Sequence, residues 1–146
     1  MSTWAEVERE ASELAAEVRK RFGVRKHATM ATLRADGSPR ISGTEVAFTD
    51  GQLVLGSMPN ARKALDLRRD PRVAIHSPTA DPPEDNPHDW AGEAKVAGIA
   101  VEVGSDDASH TFHIDVREVV LTRVSGDSLR ITSWHEGRGT EETARS

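Results

Sequence analysis

From residue 27 onward, the chain repeats one pattern, in which a short apolar segment is followed by a tight-turn signal. Asp-Gly at 36–37 and at 50–51 favours hairpin turns, and Ser-Gly-Asp at 125–127 is a third turn signal. Strands joined by such short turns pair antiparallel, because a parallel pair needs a crossover of roughly a dozen or more residues. The sequence therefore predicts an antiparallel barrel or curved sheet, closed to avoid open edges, and argues against an alternating parallel sheet.

The strand-like segments number about seven and are 27–35, 40–49, 52–56, 72–77, 94–103, 111–124 and 128–134. The first three are expected to form a meander. Within the second, the apolar parity changes around Gly43, which predicts a bulge or kink there. Even-numbered positions of 111–124 carry the apolar face of that strand. Residues 105–109 predict a turn, and the tail from His135 is polar and rich in Gly and Arg.

Two segments have a helical pattern. Apolar residues recur every three or four positions over 3–22, which predicts one amphipathic helix that plugs an opening of the barrel. Ser2 or Thr3 can cap it, and Thr3 with Glu6 has the spacing of a capping box. Residues 59–69 predict a short helix after the third strand. The fold class is therefore mainly β with helices, a six- to seven-stranded antiparallel barrel.

An acidic, Pro-rich stretch interrupts the strand pattern at 78–92. It contains four of the seven prolines and no Lys or Arg, which predicts a solvated loop. The sequence shows no internal repeat and no linker. We therefore expect residues 1–146 to form a single domain.

Composition removes several classes of function. The absence of cysteine excludes disulfides, zinc ribbons, iron–sulfur clusters and thiol nucleophiles. A net charge of −5 and an aromatic content of 4% argue against a general nucleic-acid binder. No apolar run reaches the roughly 18 residues of a membrane helix, and the acidic start lacks a secretory pattern, so we expect a cytoplasmic protein. His110 and His113 would lie on opposite faces of a strand, so no metal site is predicted.

The most informative segment is 55–63, where a strand leads into a helix. A helix start presents unpaired N–H groups and partial positive charge, to which Ser57 adds a hydroxyl and Arg62 and Lys63 add two cations. This combination suits an anion, best a phosphate. The alternative is that both cations are simply exposed on the surface of a solvated helix. Spacing alone does not decide between a phosphate site and this alternative.

Three further residues are weaker candidates. Arg40 opens a strand that we expect to neighbour the strand ending at Ser57, but an ordinary exposed hairpin arginine is the interpretation that the residues alone favour. Trp134 could stack on a flat ligand or pack in the barrel, and Arg138 could pair with an anion. No nucleophile or base with its partners is recognisable, so a bound cofactor would carry the reaction of an enzyme.

In their order along the chain, several segments resemble the pyridoxamine 5'-phosphate oxidase-like, FMN-binding split-barrel family: 28–42, 50–57, 61–75, 93–103, 113–124 and 133–139. The Arg-Lys pair followed by Leu-Arg-Arg-Asp-Pro-Arg-Val is the most specific part. The resemblance covers nearly the whole chain after the first helix, and it implies a split β-barrel.

The resemblance also implies a homodimer with FMN, or alternatively a deazaflavin coenzyme, in a cleft at the interface. On this basis Arg62 and Lys63 would hold the cofactor phosphate, and Ser57 would assist. Arg40 matches the basic position that opens the family's second-strand cofactor segment. Trp134 and Arg138 fall near the family's C-terminal cofactor-contacting Trp and Arg.

The implied activity is hydride exchange between FMN and a small organic substrate. Glu45 departs from the family pattern, because true pyridoxamine-phosphate oxidases carry a lysine there. A carboxylate at that position argues against oxidation of a phosphorylated substrate unless it faces away. A deazaflavin-dependent reductase and a non-catalytic cofactor- or ligand-binding barrel remain the alternatives.

Overall fold

Nine antiparallel strands and three α-helices form the fold in the computed structural model, which describes residues 1–105 and 109–146. The helices are α1 (Trp4–Glu10), α2 (Ser12–Gly23) and α3 (Arg62–Arg69). The strands are β1 (Ala28–Leu33), β2 (Pro39–Thr44), β3 (Val46–Thr49), β4 (Gln52–Ser57), β5 (Arg72–His76), β6 (Glu93–Ser105), β7 (His110–Ser125), β8 (Ser128–His135) and β9 (Gly139–Arg145). The acidic loop 78–92 contains one short 3-10 turn, Pro87–Asp89. The predicted turn at 105–109 lies largely outside the described residues.

The strands form one sheet that is open rather than closed. Its order is β2-β1-β5-β6-β7-β4-β3, and β8 pairs with the second half of β7 and with β9. The main strand order ends at β2 and at β3, which follow each other along the chain, while β9 is the outer strand of the β8–β9 branch. This arrangement confirms a mainly β, antiparallel split barrel, and it contradicts the expectation of a closed one.

The opening is created at Glu45, where the predicted second strand divides into two. β2 pairs with β1, so that Thr44 lies opposite Ala28, whereas β3 pairs with β4, so that Val46 lies opposite Leu55. The predicted kink at Gly43 therefore occurs two residues later, and the predicted three-stranded meander is wrong. One residue connects the two open edges of the barrel, and we call this opening the seam.

The long strands β6 and β7 contain a bulge at Gly98. Gly98 pairs with Val116 while the preceding residue pairs with Glu118, so Arg117 is skipped. The core-facing positions of β7 consequently change from even to odd numbers after Val116, which the sequence alternation did not predict. A Cβ atom on Gly98 would overlap the Asp115 carbonyl oxygen, so the close approach of the two strands requires glycine.

The predicted N-terminal helix is broken at Ala11 into α1 and α2. Ala11 has φ −144° and ψ 61°, outside the helical region. The break lets α1 pack on β4 and β7 and lets α2 pack on β6 and β7, so each half follows the curved sheet. The capping box of Thr3 and Glu6 is present as predicted. No helix among the described residues is both long enough and apolar enough to cross a membrane.

The N-terminus is fixed to the sheet by a buried carboxylate. Asp115 accepts hydrogen bonds from the backbone N–H of Ser2 at 2.7 Å and from the Arg117 guanidinium at 2.7 Å. The carbonyl of Ser2 in turn accepts from the backbone N–H of Val116. At the other end of the chain, the polar tail forms β9, an exposed strand that the sequence did not predict, because its pairing with β8 buries no apolar face.

Replacing Gly98 by alanine should destabilise the protein, because the added methyl group would overlap the Asp115 carbonyl. We expect a loss of roughly 1–3 kcal/mol in the free energy of unfolding, measured by urea denaturation. Gly104→Ala on the same strand is the matched control, since a Cβ there lies within 4 Å of none of the described residues. Equal stability of the two variants would contradict the tight bulge.

Candidate functional site

A pocket of about 680 Å³ lies at the seam, and we call it the seam pocket. Its lining comes from residues 43–47 at the bend between β2 and β3 and from Val54 and residues 56–58 around the end of β4, together with His27, Lys63 and Ser109. Its volume lies in the range of about 300–1,000 Å³ that small-molecule sites occupy.

Lys63 connects the two sides of the seam. From the first turn of α3, its ammonium nitrogen donates a hydrogen bond of 2.8 Å to the carbonyl of Gly43 in β2. Burial lowers the pKa of this amine below its ordinary value. An ammonium group has three donors, and the contact with Gly43 uses one of them. The half-buried cation therefore retains donors for a ligand in the seam pocket.

Ser57 and the start of α3 supply neutral donors beside this cation. Ser57 ends β4, and its hydroxyl donates only a 3.2 Å hydrogen bond to the carbonyl of Met58. The N-cap of α3 is Ala61, which provides no side-chain cap. Within the part of the chain that the structure describes, the backbone N–H groups of Arg62 and Lys63 have no hydrogen-bond acceptor. The anion site predicted where the strand leads into the helix is thus formed by an uncapped helix start.

Arg62 lies on the exposed side of the same turn. Its side chain has no ion pair or hydrogen bond with any described residue, and it does not line the seam pocket. The structure therefore brings Ser57 and Lys63 together in one pocket and leaves Arg62 beside it.

Arg40 is held by a buried acid that the sequence interpretation missed. Asp66, on α3 and 2% exposed, accepts hydrogen bonds of 2.7 Å from Arg40 Nε and from the hydroxyl of Thr32. It also accepts a 2.8 Å bond from Arg69. The expectation that the strand of Arg40 neighbours the strand of Ser57 is wrong, because β2 pairs with β1.

The charge of Asp66 is stabilised against its burial. Burial on its own would raise the pKa of this carboxyl, but the hydrogen bonds from Arg40 and Thr32 outweigh it and lower the pKa below its ordinary value of 3.8. The available signal in the sequence was that Asp66 is the only acid among the eight residues of α3.

The two C-terminal candidates lie elsewhere in the single chain. Trp134 is fully buried in the hydrophobic core, where its ring N–H is 3.4 Å from a carboxylate oxygen of Glu10. Arg138 is exposed in the turn between β8 and β9, and its side chain forms no hydrogen bond or ion pair with a described residue. Neither residue lines the seam pocket.

Glu45 does line the seam pocket, but positively charged or protonatable groups accompany it. Its carboxylate is 3.7 Å from the Lys26 ammonium and 3.3 Å from His27 Nε2. Lys26 and His27 therefore offset the negative charge of the Glu45 carboxylate. A second missed residue is the buried His110, whose ring lies behind the loop that precedes α3.

Comparison with protein families matches residues 14–122 to the family described as Pyridoxamine 5'-phosphate oxidase. That range includes the seam, α3 and all of the strands that line the pocket. No curated protein matches the sequence.

Solved structures share the fold at low identity. PhzG from Burkholderia lata 383, solved with tetrahydrophenazine-1-carboxylic acid, is 12% identical, with a TM-score of 0.66 over 91% of this chain and 88% of that one. A pyridoxamine 5'-phosphate oxidase-related, FMN-binding protein from Nostoc punctiforme PCC 73102 is 11% identical, with a TM-score of 0.64 over 93% and 96%. A heme-binding protein from Mycobacterium smegmatis is 15% identical, with a TM-score of 0.61 over 100% and 89%.

Replacing Asp66 by asparagine should destabilise the fold and reduce its sensitivity to acid. Removing one partner of a buried ion pair costs about 3–5 kcal/mol near neutral pH. Since the pKa of Asp66 is lowered on folding, its contribution is complete above the unfolded-state value of about 3.9 and is lost as the pH falls through the folded-state value.

Urea unfolding over a pH series checks this expectation. The stability difference between wild type and Asp66→Asn should shrink on acidification, whereas Asp89→Asn, an exposed acid of the loop, should follow wild type throughout. A difference that stays constant down to the acid end of the series would contradict the assigned ion pair.

Proposed function

The chain belongs to the pyridoxamine 5'-phosphate oxidase-like family of FMN-binding split barrels, and from that premise we propose that it is a flavoprotein that binds FMN in the seam pocket. Its activity would be hydride exchange between the flavin and a small organic substrate. The observation that carries the proposal is the meeting of Ser57, Lys63 and an uncapped helix start at one pocket.

The phosphate of FMN fits this end of the pocket on chemical grounds. A dianion is best held by a cation together with N–H and O–H donors that have no competing partner. Lys63 supplies the cation, Ser57 supplies the hydroxyl, and α3 supplies backbone donors. Arg62, whose guanidinium forms no hydrogen bond or ion pair with the described residues, would add the second positive charge.

The flavin ring would occupy the apolar part of the pocket. Val46, Ala47 and Val54 provide side chains that exclude water and support a flat ring system. When bound, FMN supplies two-electron transfer chemistry that no side chain of this pocket provides. The tasks of the protein itself are to hold the phosphate, to fix the ring against β3 and β4, and to limit water.

We also propose a homodimer, with a second copy covering the outer face of β1, β2, β5 and β6. Two shallow apolar depressions lie on this face, and their lining includes Ala31, Ala74 and Ala97. Ile41 beside them is 76% exposed. Charged residues such as Lys95 and Glu118 stand at the border, as they do around the rim of protein interfaces. In such a dimer, the exposed Arg138 would remain available for a cofactor contact, whereas Trp134 is buried in the core of its own chain.

Cofactor titration of the purified, ligand-free protein tests the proposal. Absorbance and fluorescence would be followed on addition of FMN, riboflavin, a deazaflavin coenzyme or haem. Saturable FMN binding with reduction of the bound flavin by a nicotinamide donor supports the proposed function. Preference for the deazaflavin or for haem would replace FMN as the cofactor, and bound flavin that no donor reduces would favour a non-catalytic binding barrel.

Replacing Lys63 by alanine should weaken FMN binding but leave riboflavin binding nearly unchanged, because only FMN carries the phosphate. Charge-assisted hydrogen bonds contribute roughly 1.5–3 kcal/mol each, so the FMN dissociation constant should rise at least about tenfold. Adding Arg62→Ala should increase the loss. Lys20→Ala, which removes an exposed cation on α2, is the control and should bind FMN like wild type. An equal loss for both ligands would place the phosphate elsewhere.

Replacing Ile41 by glutamate should convert the dimer to monomers, since a charge on the apolar face cannot be buried without a partner. Light scattering after size-exclusion chromatography measures the mass directly. Leu129→Glu, at a half-exposed apolar position of β8, should remain dimeric. A wild-type protein that is monomeric at all accessible concentrations would contradict the proposed interface.

A further inference from the structure

We propose that His110 is a positioning residue for the phosphate site. Its imidazole holds the loop between β4 and α3 in the conformation that presents the Ser57 hydroxyl and the N–H groups at the start of α3. This inference rests on the proposed function and deepens it. It assigns a role to a residue that lies behind the seam pocket rather than within it.

The contact that carries the proposal is a hydrogen bond from the loop backbone to the imidazole. The backbone N–H of Asn60 donates to His110 Nε2 at 3.1 Å. Asn60 has φ 57°, a left-handed conformation that non-glycine residues adopt at some cost and that asparagine tolerates best. His110 is 5% exposed, so its acceptor nitrogen would otherwise be buried without a partner. The ring therefore stabilises a turn that the chain would not hold equally well alone.

The hydrogen-bond partners of the His110 ring determine which of its nitrogens carries the proton. Because Nε2 accepts from Asn60, the neutral ring is protonated at Nδ1, and this group donates to Glu102 Oε2 at 3.0 Å. Arg68 also lies 3.1 Å from Nδ1, but a guanidinium has no acceptor, so this approach is not a hydrogen bond in that tautomer. Glu102 therefore selects the tautomer that can hold the loop.

The same network fixes α3 relative to the strands. Arg68 in α3 binds Glu102 in β6 through two hydrogen bonds of 2.9 and 3.1 Å. Strand pairing places His110 directly opposite Ser57, so the imidazole stands next to the end of β4. One end of the loop is thus held by the strand pairing of Ser57 with His110. The other end is held by the ion pair of Arg68 with Glu102.

The consequence for binding is preorganisation. Donors that already point to one place need no ordering when the ligand arrives, so the ligand binds more tightly without any additional contact. Without the acceptor on His110, the loop from Met58 to Ala61 would lose the hydrogen bond that holds Asn60 in its left-handed conformation. The hydroxyl of Ser57 and the N–H groups at the start of α3 would then no longer converge.

The test compares two variants of the full-length protein, His110→Phe and His110→Gln. Phenylalanine retains a flat ring but has no acceptor, whereas the glutamine side-chain oxygen can take the place of Nε2. We expect His110→Phe to lose FMN affinity by about tenfold while its riboflavin affinity stays near wild type. His110→Gln should recover most of the FMN affinity. Equal FMN affinity in His110→Phe and wild type, or equal loss for FMN and riboflavin, would overturn the assignment.

A second measurement applies even if His110→Phe fails to fold. Nitrogen NMR of the wild-type imidazole should show the proton on Nδ1, and the Asn60 amide should exchange slowly with solvent. A proton on Nε2, or rapid exchange of that amide, would overturn the role of His110. Failure of wild type to bind any flavin would instead overturn the proposed function, and the NMR result would still decide whether His110 holds the loop.

Discussion

The contact of Lys63 with Gly43 across the seam is the interaction on which the site depends. The barrel opens because the chain turns at Glu45, and one ammonium group of α3 reaches the opposite edge. Partial burial of this cation is unfavourable, as its lowered pKa indicates. An anionic ligand in the seam pocket would offset that cost, so the partial burial of Lys63 favours binding of a phosphate.

Two acids position α3 so that its start meets the seam. Asp66 ties one side of the helix to β1 and β2 through Thr32 and Arg40, and Glu102 ties the other side to β6 through Arg68. Neither acid lines the pocket. Arg40 and Arg68 therefore secure the helix, whereas Lys63 and Arg62 keep donors that no described residue occupies.

The sequence predicted the class of fold because turn signals and strand alternation are local. It also predicted the strand-to-helix junction between Ser57 and Lys63, since a helix start and adjacent cations need no tertiary information. It did not predict the break at Ala11, which follows the curvature of the assembled sheet, or the change of parity in β7 after Val116, which follows from the bulge opposite Gly98. Asp66 and His110 were missed as site residues for a related reason. Their partners, Arg40 and Asn60, are distant in sequence, so only the folded chain brings each pair together.

A crystal structure of the protein with FMN would show directly whether Ser57 and Lys63 hold the cofactor phosphate. We expect phosphate oxygens at hydrogen-bond distance, about 3 Å, from the Ser57 hydroxyl and the Lys63 ammonium, with the isoalloxazine ring beside Val46 and Val54. Flavin bound with its phosphate outside the seam pocket, or with Lys63 still directed only at Gly43 and remote from the phosphate, would contradict the proposed site.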